Sequence, residues 1–258
     1  MEDEKGKLCG GLVTLTRADA NTSDLLRVDE TINALRVQLL RAVSHELRSP
    51  LSIIKGFSSS LLVSDVTWDG DRQRKFISII DETADRMQEV VDRMRDYALL
   101  EAGTFRLSVQ ATTLSAILDS IMPRVRDITQ NHRFTLDLDA DMQPLVADSK
   151  RIAQVVLELL NNAVKFSPPG TAITMQAEQK PDMLEVRVHD EGQGIPQEHY
   201  EHVFEPFWQP LGENRQKGAG LGLALARGIA QMHGGYLHIE PNRGRGTTVV
   251  FGLPTLES

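Results

Sequence analysis

The sequence contains a single cysteine, Cys9, among 258 residues. An intrachain disulfide and a cysteine-based metal site are therefore excluded, and a reducing, cytoplasmic setting is expected. Positive charge is also scarce: 28 Lys and Arg face 36 Asp and Glu, for a formal net charge of -8. A nucleic-acid binder would ordinarily present a basic face, so no nucleic-acid partner is expected. Long apolar runs are missing as well. No window of about 18 residues is free of charge, so no membrane segment is expected within this stretch. The opening Met1-Glu2-Asp3-Glu4-Lys5 lacks the basic-then-apolar order of a signal peptide. These absences leave an upstream sensor domain, or a larger membrane-bound sensor, compatible with the chain. What remains is ordinary globular composition, 41% hydrophobic and 25% charged, in a length sufficient for one large or two medium domains.

Hydropathy patterning divides the chain into three. Residues 1–24 carry one candidate strand, Leu8 to Leu15, and read as a linker or the end of an upstream sensor region. Residues 25–102 carry two runs with helical period. Val28, Ile32, Leu35, Leu39, Val43, Leu47, Leu51, Ile54, Phe57 and Leu61 form the first stripe; Phe76, Ile80, Ala84, Met87, Val91, Met94 and Ala98 form the second. A break at Ser64 to Gly70 joins them into an antiparallel hairpin, which cannot bury both stripes alone. Dimerisation into a four-helix bundle solves this; packing onto the following domain is the alternative. Residues 104–256 switch to mixed texture. Strands are expected at Phe105–Val109, Arg133–Leu138, Leu145–Val146, Ala172–Glu178, Leu184–His189, Tyr236–Glu240 and Thr247–Leu253. Helices are expected at Leu114–Thr129, Ser149–Phe166 and Leu221–Met232. This pattern predicts an α/β sandwich whose mixed sheet is covered on one face.

On the first helix, His45 stands two residues from both Val43 and Leu47, about 160–200° from the stripe, and so faces away from it. Alone, such a histidine means nothing. Its neighbours add chemistry: Glu46 can take a proton from one imidazole nitrogen while the other attacks phosphorus. Arg48 can hold a phosphate, and Pro50 is expected to kink the helix. The kink is compatible with a conformational switch or with a purely structural bend.

Four further stretches carry candidate nucleotide chemistry. Glu158-Leu159-Leu160-Asn161-Asn162-Ala163-Val164-Lys165-Phe166 places Glu158 and Asn162 on one helical face, with Lys165 a turn further on. An amide there suits Mg²⁺, which takes few protein ligands, although a solvent-facing polar helix reads equally well. Asp190-Glu191-Gly192-Gln193-Gly194 follows a strand and puts a carboxylate where it can accept the amino hydrogens of a base. Gly218-Ala219-Gly220-Leu221-Gly222 opens a helix, where backbone N–H groups favour phosphate. Gly244-Arg245-Gly246-Thr247 precedes the last strand and reads also as a simple hairpin turn.

The stretch His45-Glu46-Leu47-Arg48-Ser49-Pro50-Leu51 resembles the phosphoacceptor box of HisKA sensor histidine kinases. The four later stretches resemble the N and three glycine boxes of the GHKL ATPase superfamily, and Phe204-Glu205-Pro206-Phe207 is similar to the phenylalanine box of its kinase branch. The resemblance covers roughly residues 30–256 and implies a homodimeric kinase core that uses ATP and Mg²⁺. His45 would be the phosphoacceptor, with Glu46 and Ser49 beside it, and a response regulator would receive the phosphoryl group. Asn162 would be the Mg²⁺ ligand and Lys165 a phosphate contact, in a nucleotide site that also includes Glu158, Asn161 and Phe166. Asp190 would read adenine, while Gly192, Gly194, Gly218, Gly220, Leu221, Gly222 and Thr247 would shape the pocket. Arg215 or Lys217 would touch phosphates from the lid between Pro196 and Gly218; Phe204, Phe207 and Trp208 would lock that lid or form a small satellite core. Two positions depart from the family pattern: Ser49 stands where Thr or Asn is usual, and Glu158 where Asn is usual. A Glu at the latter place resembles branches that hydrolyse ATP, which makes a plain ATPase the competing reading.

Overall fold

The computed structural model describes residues 37, 41, 43, 44, 46–63, 65–209, 220–241 and 244–255. The expected strand at Leu8 to Leu15 lies outside them. The first helix, α1, runs without a break through residues 46–61, Pro50 included. The second, α2, spans Gly70–Glu101 and starts on Asp69, whose side chain accepts from the Arg72 N–H. Aromatic packing closes the hairpin between them. The Phe76 ring meets Phe57 at 5.1 Å and Trp68 at 4.9 Å, and the Trp68 indole donates to the Ser60 carbonyl at 3.0 Å. No described helix is long and apolar enough to cross a membrane.

Beyond the hairpin come β1 (Gln110–Thr112), α3 (Leu114–Thr129), β2 (Arg133–Leu138), β3 (Leu145–Ala147) and α4 (Ser149–Phe166). They are followed by β4 (Ala172–Gln179), β5 (Met183–Asp190), two 3₁₀ turns, α5 (Gly222–Met232), β6 (Tyr236–Glu240) and β7 (Thr248–Pro254). The main sheet has the order β2-β4-β5-β7-β6, with β2 and β4 parallel and the other pairs antiparallel. A mixed sheet with helices against one face is the architecture the sequence pattern predicts.

Strand alternation decides which side faces the helices. In β5, Leu184, Val186, Val188 and Asp190 are the buried set, and in β4 Ile173, Met175 and Ala177 are. The opposite face is polar and carries Arg187, which pairs with Glu178 at 3.1 Å and Glu185 at 2.6 Å. Over the apolar face, α4 lays down Ile152, Val155, Val156, Leu159, Leu160 and Ala163, with Leu225 and Ile229 of α5 beside them. Period two therefore carries one carboxylate, Asp190, onto the helix-facing side at the strand's end.

One expected strand is absent. Residues 104–109 are irregular, and pairing begins only at Gln110, which opposes Ala147. The reason is local. The Ser108 N–H donates to the Asp148 carboxylate at 2.9 Å instead of to a ladder, and Phe105 is buried with the Arg151 guanidinium 4.5 Å from its ring centre. The same Asp148 caps α4 by accepting from the Lys150 and Arg151 N–H groups.

The hairpin also packs on the sheet domain. Met94 and Tyr97 of α2 form a small buried cluster with Leu221 and Ala224, and Phe207 meets the Tyr97 ring at 6.1 Å. Part of the second stripe is thus buried on the following domain, while Val91 of that stripe stays exposed. Leu160 lies fully buried between α4 and the sheet; Leu160→Ala should cost about 2–5 kcal/mol, read as a lowered Tm with the strand content kept.

Candidate functional site

The helix α4 supplies the centre of the site. Its apolar face is committed to the sheet, so Glu158, Asn161, Asn162 and Lys165 project from its other side. They meet the start of α5 and one flank of α2. Two connected spaces result. A cavity of about 390 Å³ lies under α4 and is lined by Asp190, Gly194, Ile195, Val188, Thr247 and Phe166 among others. A smaller one, about 150 Å³, lies between α1, α2, α4 and α5, and is lined by Glu46, Arg93, Glu158, Asn161, Lys165 and Gly222 among others. Asn162 and Trp208 border both.

In the larger cavity, Asp190 is only 7% exposed. Its Oδ1 accepts from the Gly192 N–H at 2.8 Å, the Thr247 N–H at 3.3 Å and the Ser167 hydroxyl at 3.5 Å. None of these bonds uses Oδ2. Burial pushes the Asp190 carboxyl above the usual carboxylate range, and the two backbone donors oppose that rise. Glycine is enforced around it. A Cβ on Gly192 would stand 2.5 Å from the Phe166 carbonyl oxygen, and one on Gly246 would stand 1.6 Å from the Asp190 oxygen. The Gly244 to Thr247 stretch is therefore more than a hairpin turn. It presses its backbone against the end of β5 and supplies one of the donors that orient Asp190.

The smaller cavity gathers most of the charged side chains. Glu158, 8% exposed, forms an ion pair from Oε1 to the Arg93 Nε of α2 at 3.0 Å. Burial raises its carboxyl above the ordinary value, and the Arg93 guanidinium is the main opposing influence. Its other oxygen lies 2.7 Å from where a Cβ on Gly222 would sit. Lys165 is held below its usual pKa by burial, partly offset by Glu46. The buried Asn162 Nδ2 has no hydrogen-bond partner among the described residues. An amide held by packing with an unspent polar atom suits a site that receives its partner from outside. The first turn of α5 begins on Leu221 with no side-chain cap, so its N–H groups face this space uncapped.

Most of the expected site residues therefore converge. Glu46, Glu158, Asn161, Asn162, Lys165, Phe166, Asp190, Gly194, Gly220, Leu221, Gly222 and Thr247 all line one or both cavities, and Gly192 packs beside Asp190. Ser49 is exposed on α1. His45, Arg215, Lys217 and Gly218 lie outside the described residues. Phe204 is buried in the main core, and the half-buried Phe207 packs against the smaller cluster. The Phe207 N–H donates to the Gly220 carbonyl at 2.9 Å.

Sequence reasoning missed what α2 contributes. Arg93 enters the smaller cavity, and Asp96, 2% exposed, pairs with Arg151 of α4 and Arg95. Both sit beside the apolar stripe and read in sequence as solvated charges.

Comparison with known proteins agrees with this geometry. Residues 35–103 match the family described as the His Kinase A phospho-acceptor domain, and residues 147–257 match the family of histidine kinase-, DNA gyrase B- and HSP90-like ATPases. The chain belongs to the two-component sensor histidine kinases. Among such kinases, the histidine protein kinase DivJ of Caulobacter vibrioides is 34% identical over 250 residues, 95% of this chain and 42% of that one. The circadian input-output histidine kinase CikA of Synechococcus elongatus is 32% identical over 90% of this chain and 31% of its own. The chain thus spans less than half the length of these curated relatives. Among solved structures, the histidine kinase ThkA in complex with the response regulator protein TrrA aligns at TM-score 0.59 and 26% identity, over 83% of this chain and 60% of that chain. The sensor histidine kinase MprB aligns at TM-score 0.51 and 28% identity, over 57% of this chain and 97% of its own.

Asp190→Asn tests the expected role of Asp190 in nucleotide recognition separately from its effect on folding. Losing a hydrogen bond to a charged acceptor should weaken ATP binding about tenfold or more, measured by calorimetry. The sign for stability is opposite. A carboxyl raised in the folded state contributes stability below its unfolded value, near 3.9, and loses it as pH rises through the folded value. The amide removes that loss, so the variant's Tm should fall less between about pH 4 and pH 7 than the parent's.

Proposed function

We propose that this chain is the catalytic core of a sensor histidine kinase that phosphorylates its own His45 from ATP and passes the phosphoryl group to an aspartate of a response regulator. One observation carries the reading. Glu46, which follows His45 in sequence, lines the same small cavity as Asn162, Lys165 and the start of α5. The helix expected to hold the acceptor thus stands at the space that suits phosphates.

In this reading residues 25–102 form the dimerisation and phosphoacceptor hairpin, residues 104–256 the ATP-binding domain, and residues 1–24 the end of an upstream sensor region. The adenine ring occupies the 390 Å³ cavity, with Asp190 accepting from its amino group and Phe166 along its side. The triphosphate reaches past Asn162 to Lys165 and the N–H groups of α5, which favour anions. Asn162 would hold Mg²⁺, which when bound offsets phosphate charge. A His45 nitrogen attacks the γ-phosphorus as the bond to ADP breaks, and Glu46 takes the proton from the other nitrogen. Arg215 and Lys217 of the lid, together with Lys165, balance the charge on the transferring group. The exposed Leu51, Ile53, Ile77 and Val91 on the hairpin supply apolar surface for a second copy of the chain, completing a four-helix bundle. The core works in the cytoplasm, and its response-regulator partner parallels the one in the ThkA complex.

Labelled ATP should yield an acid-labile, base-stable phosphoprotein that His45→Gln abolishes. Glu46→Gln should slow its formation about 10²–10⁴-fold, the range for a general base; an undiminished label in His45→Gln removes the assignment. Sedimentation should give twice the 28.7 kDa chain mass.

A further inference from the structure

The small cavity holds two carboxylates, Glu46 and Glu158, and they are treated differently. No described cation stands within ion-pair distance of Glu46, whereas Glu158 is tied to Arg93 at 3.0 Å. Arg93 belongs to α2, so the hairpin itself delivers this cation into the nucleotide domain. The pairing is supported on its far side: Arg93 also contacts Glu89 at 3.4 Å, and Glu89 pairs with Arg124 of α3. Glu158 borders the space that suits the terminal phosphate, next to Asn162 and Gly222. A carboxylate at that place is positioned to act on a water molecule as readily as Glu46 acts on histidine.

We infer that Arg93 determines the nucleophile: by holding one oxygen of the Glu158 carboxylate while the hairpin is docked, it weakens the base that water would need and reserves the phosphoryl group for histidine. The suppressed reaction is explicit. The water oxygen would bond to the γ-phosphorus, the bond from that phosphorus to the β–γ bridging oxygen would break, ADP would leave with the electron pair, and Glu158 would take the water proton. The Arg93 Nε–H holds Oε1, and its positive charge weakens the affinity of the remaining Oε2 for a water proton. The hairpin then brings two things together, the residue to be phosphorylated and the guard against hydrolysis. An undocked domain would have neither.

This inference rests on the reading of the site as an ATP site, and the experiment separates the two. The full chain carrying His45→Gln is the background, so that released phosphate cannot come from a phosphohistidine. In it, Arg93→Ala and Arg93→Gln should each raise steady phosphate release from ATP and magnesium about tenfold or more. Adding Glu158→Gln should return release to the background rate, and Arg93→Lys should keep it low. Asp96→Asn cuts the other ion pair between α2 and α4 without touching Glu158, and should leave release unchanged. Release in both Arg93 variants no faster than background, with ATP binding by calorimetry intact, overturns the inference and leaves the kinase reading standing. An equal rise in Asp96→Asn overturns it in favour of simple loosening of the docked hairpin. Absence of ATP binding in the parent chain overturns both.

Discussion

The Arg93–Glu158 pair joins the two halves of this molecule. Charges buried at such a seam lose hydration, and their mutual attraction repays it only when geometry is good and further partners exist. Here each has them. Glu89 supports Arg93 from behind, and a second buried carboxylate, Asp96, is held by Arg95, Arg151 and Gln154. Apolar contacts between Met94, Tyr97, Leu221 and Ala224 close the seam next to the ionic groups. The seam gives α2 a defined position against α4 and α5, and Glu46 lines the cavity beside it. Because ion pairs need alignment that apolar contact does not, this seam specifies orientation more than it adds stability.

The nucleotide side depends on a different constraint, close approach of backbone. The end of β5, the turn before β7 and the end of α4 crowd around Asp190, and Gly192 and Gly246 leave no room there for a side chain. That crowding delivers two backbone N–H groups to one carboxylate oxygen and leaves the other for a ligand. It also explains how a carboxylate can stay buried in a cavity with Val188 and Ile195 in its lining. At the far end, Gly220 has φ 69° and lies against the backbone of Phe207 and Trp208.

Much of this was legible from residue order. The α4 boundaries, Ser149–Phe166, agree with the sequence reading because Asp148 caps one end and Ser167-Pro168-Pro169 stops the other. The expected strands Ala172–Glu178 and Leu184–His189 correspond to β4 and β5. The motifs named residues that the fold brings to two neighbouring cavities. The strand expected at Phe105–Val109 failed because its alternation is shared by an irregular segment whose N–H is taken by a side chain 40 residues away. Arg93 and Asp96 were invisible for the same reason: nothing nearby in sequence marks a charge as buried when its partner sits on another helix.

Residue order carries most of the elements, the one-sided sheet and the inventory of chemical groups, because these follow from local periodicity, capping and turn residues. Which carboxylate is paired with a cation depends instead on where α2 comes to rest against α4 and α5. Burial of Met94 and Tyr97 sets that resting place. The ion pairs follow from it, holding Glu158 and leaving Glu46 with no described cation at ion-pair distance.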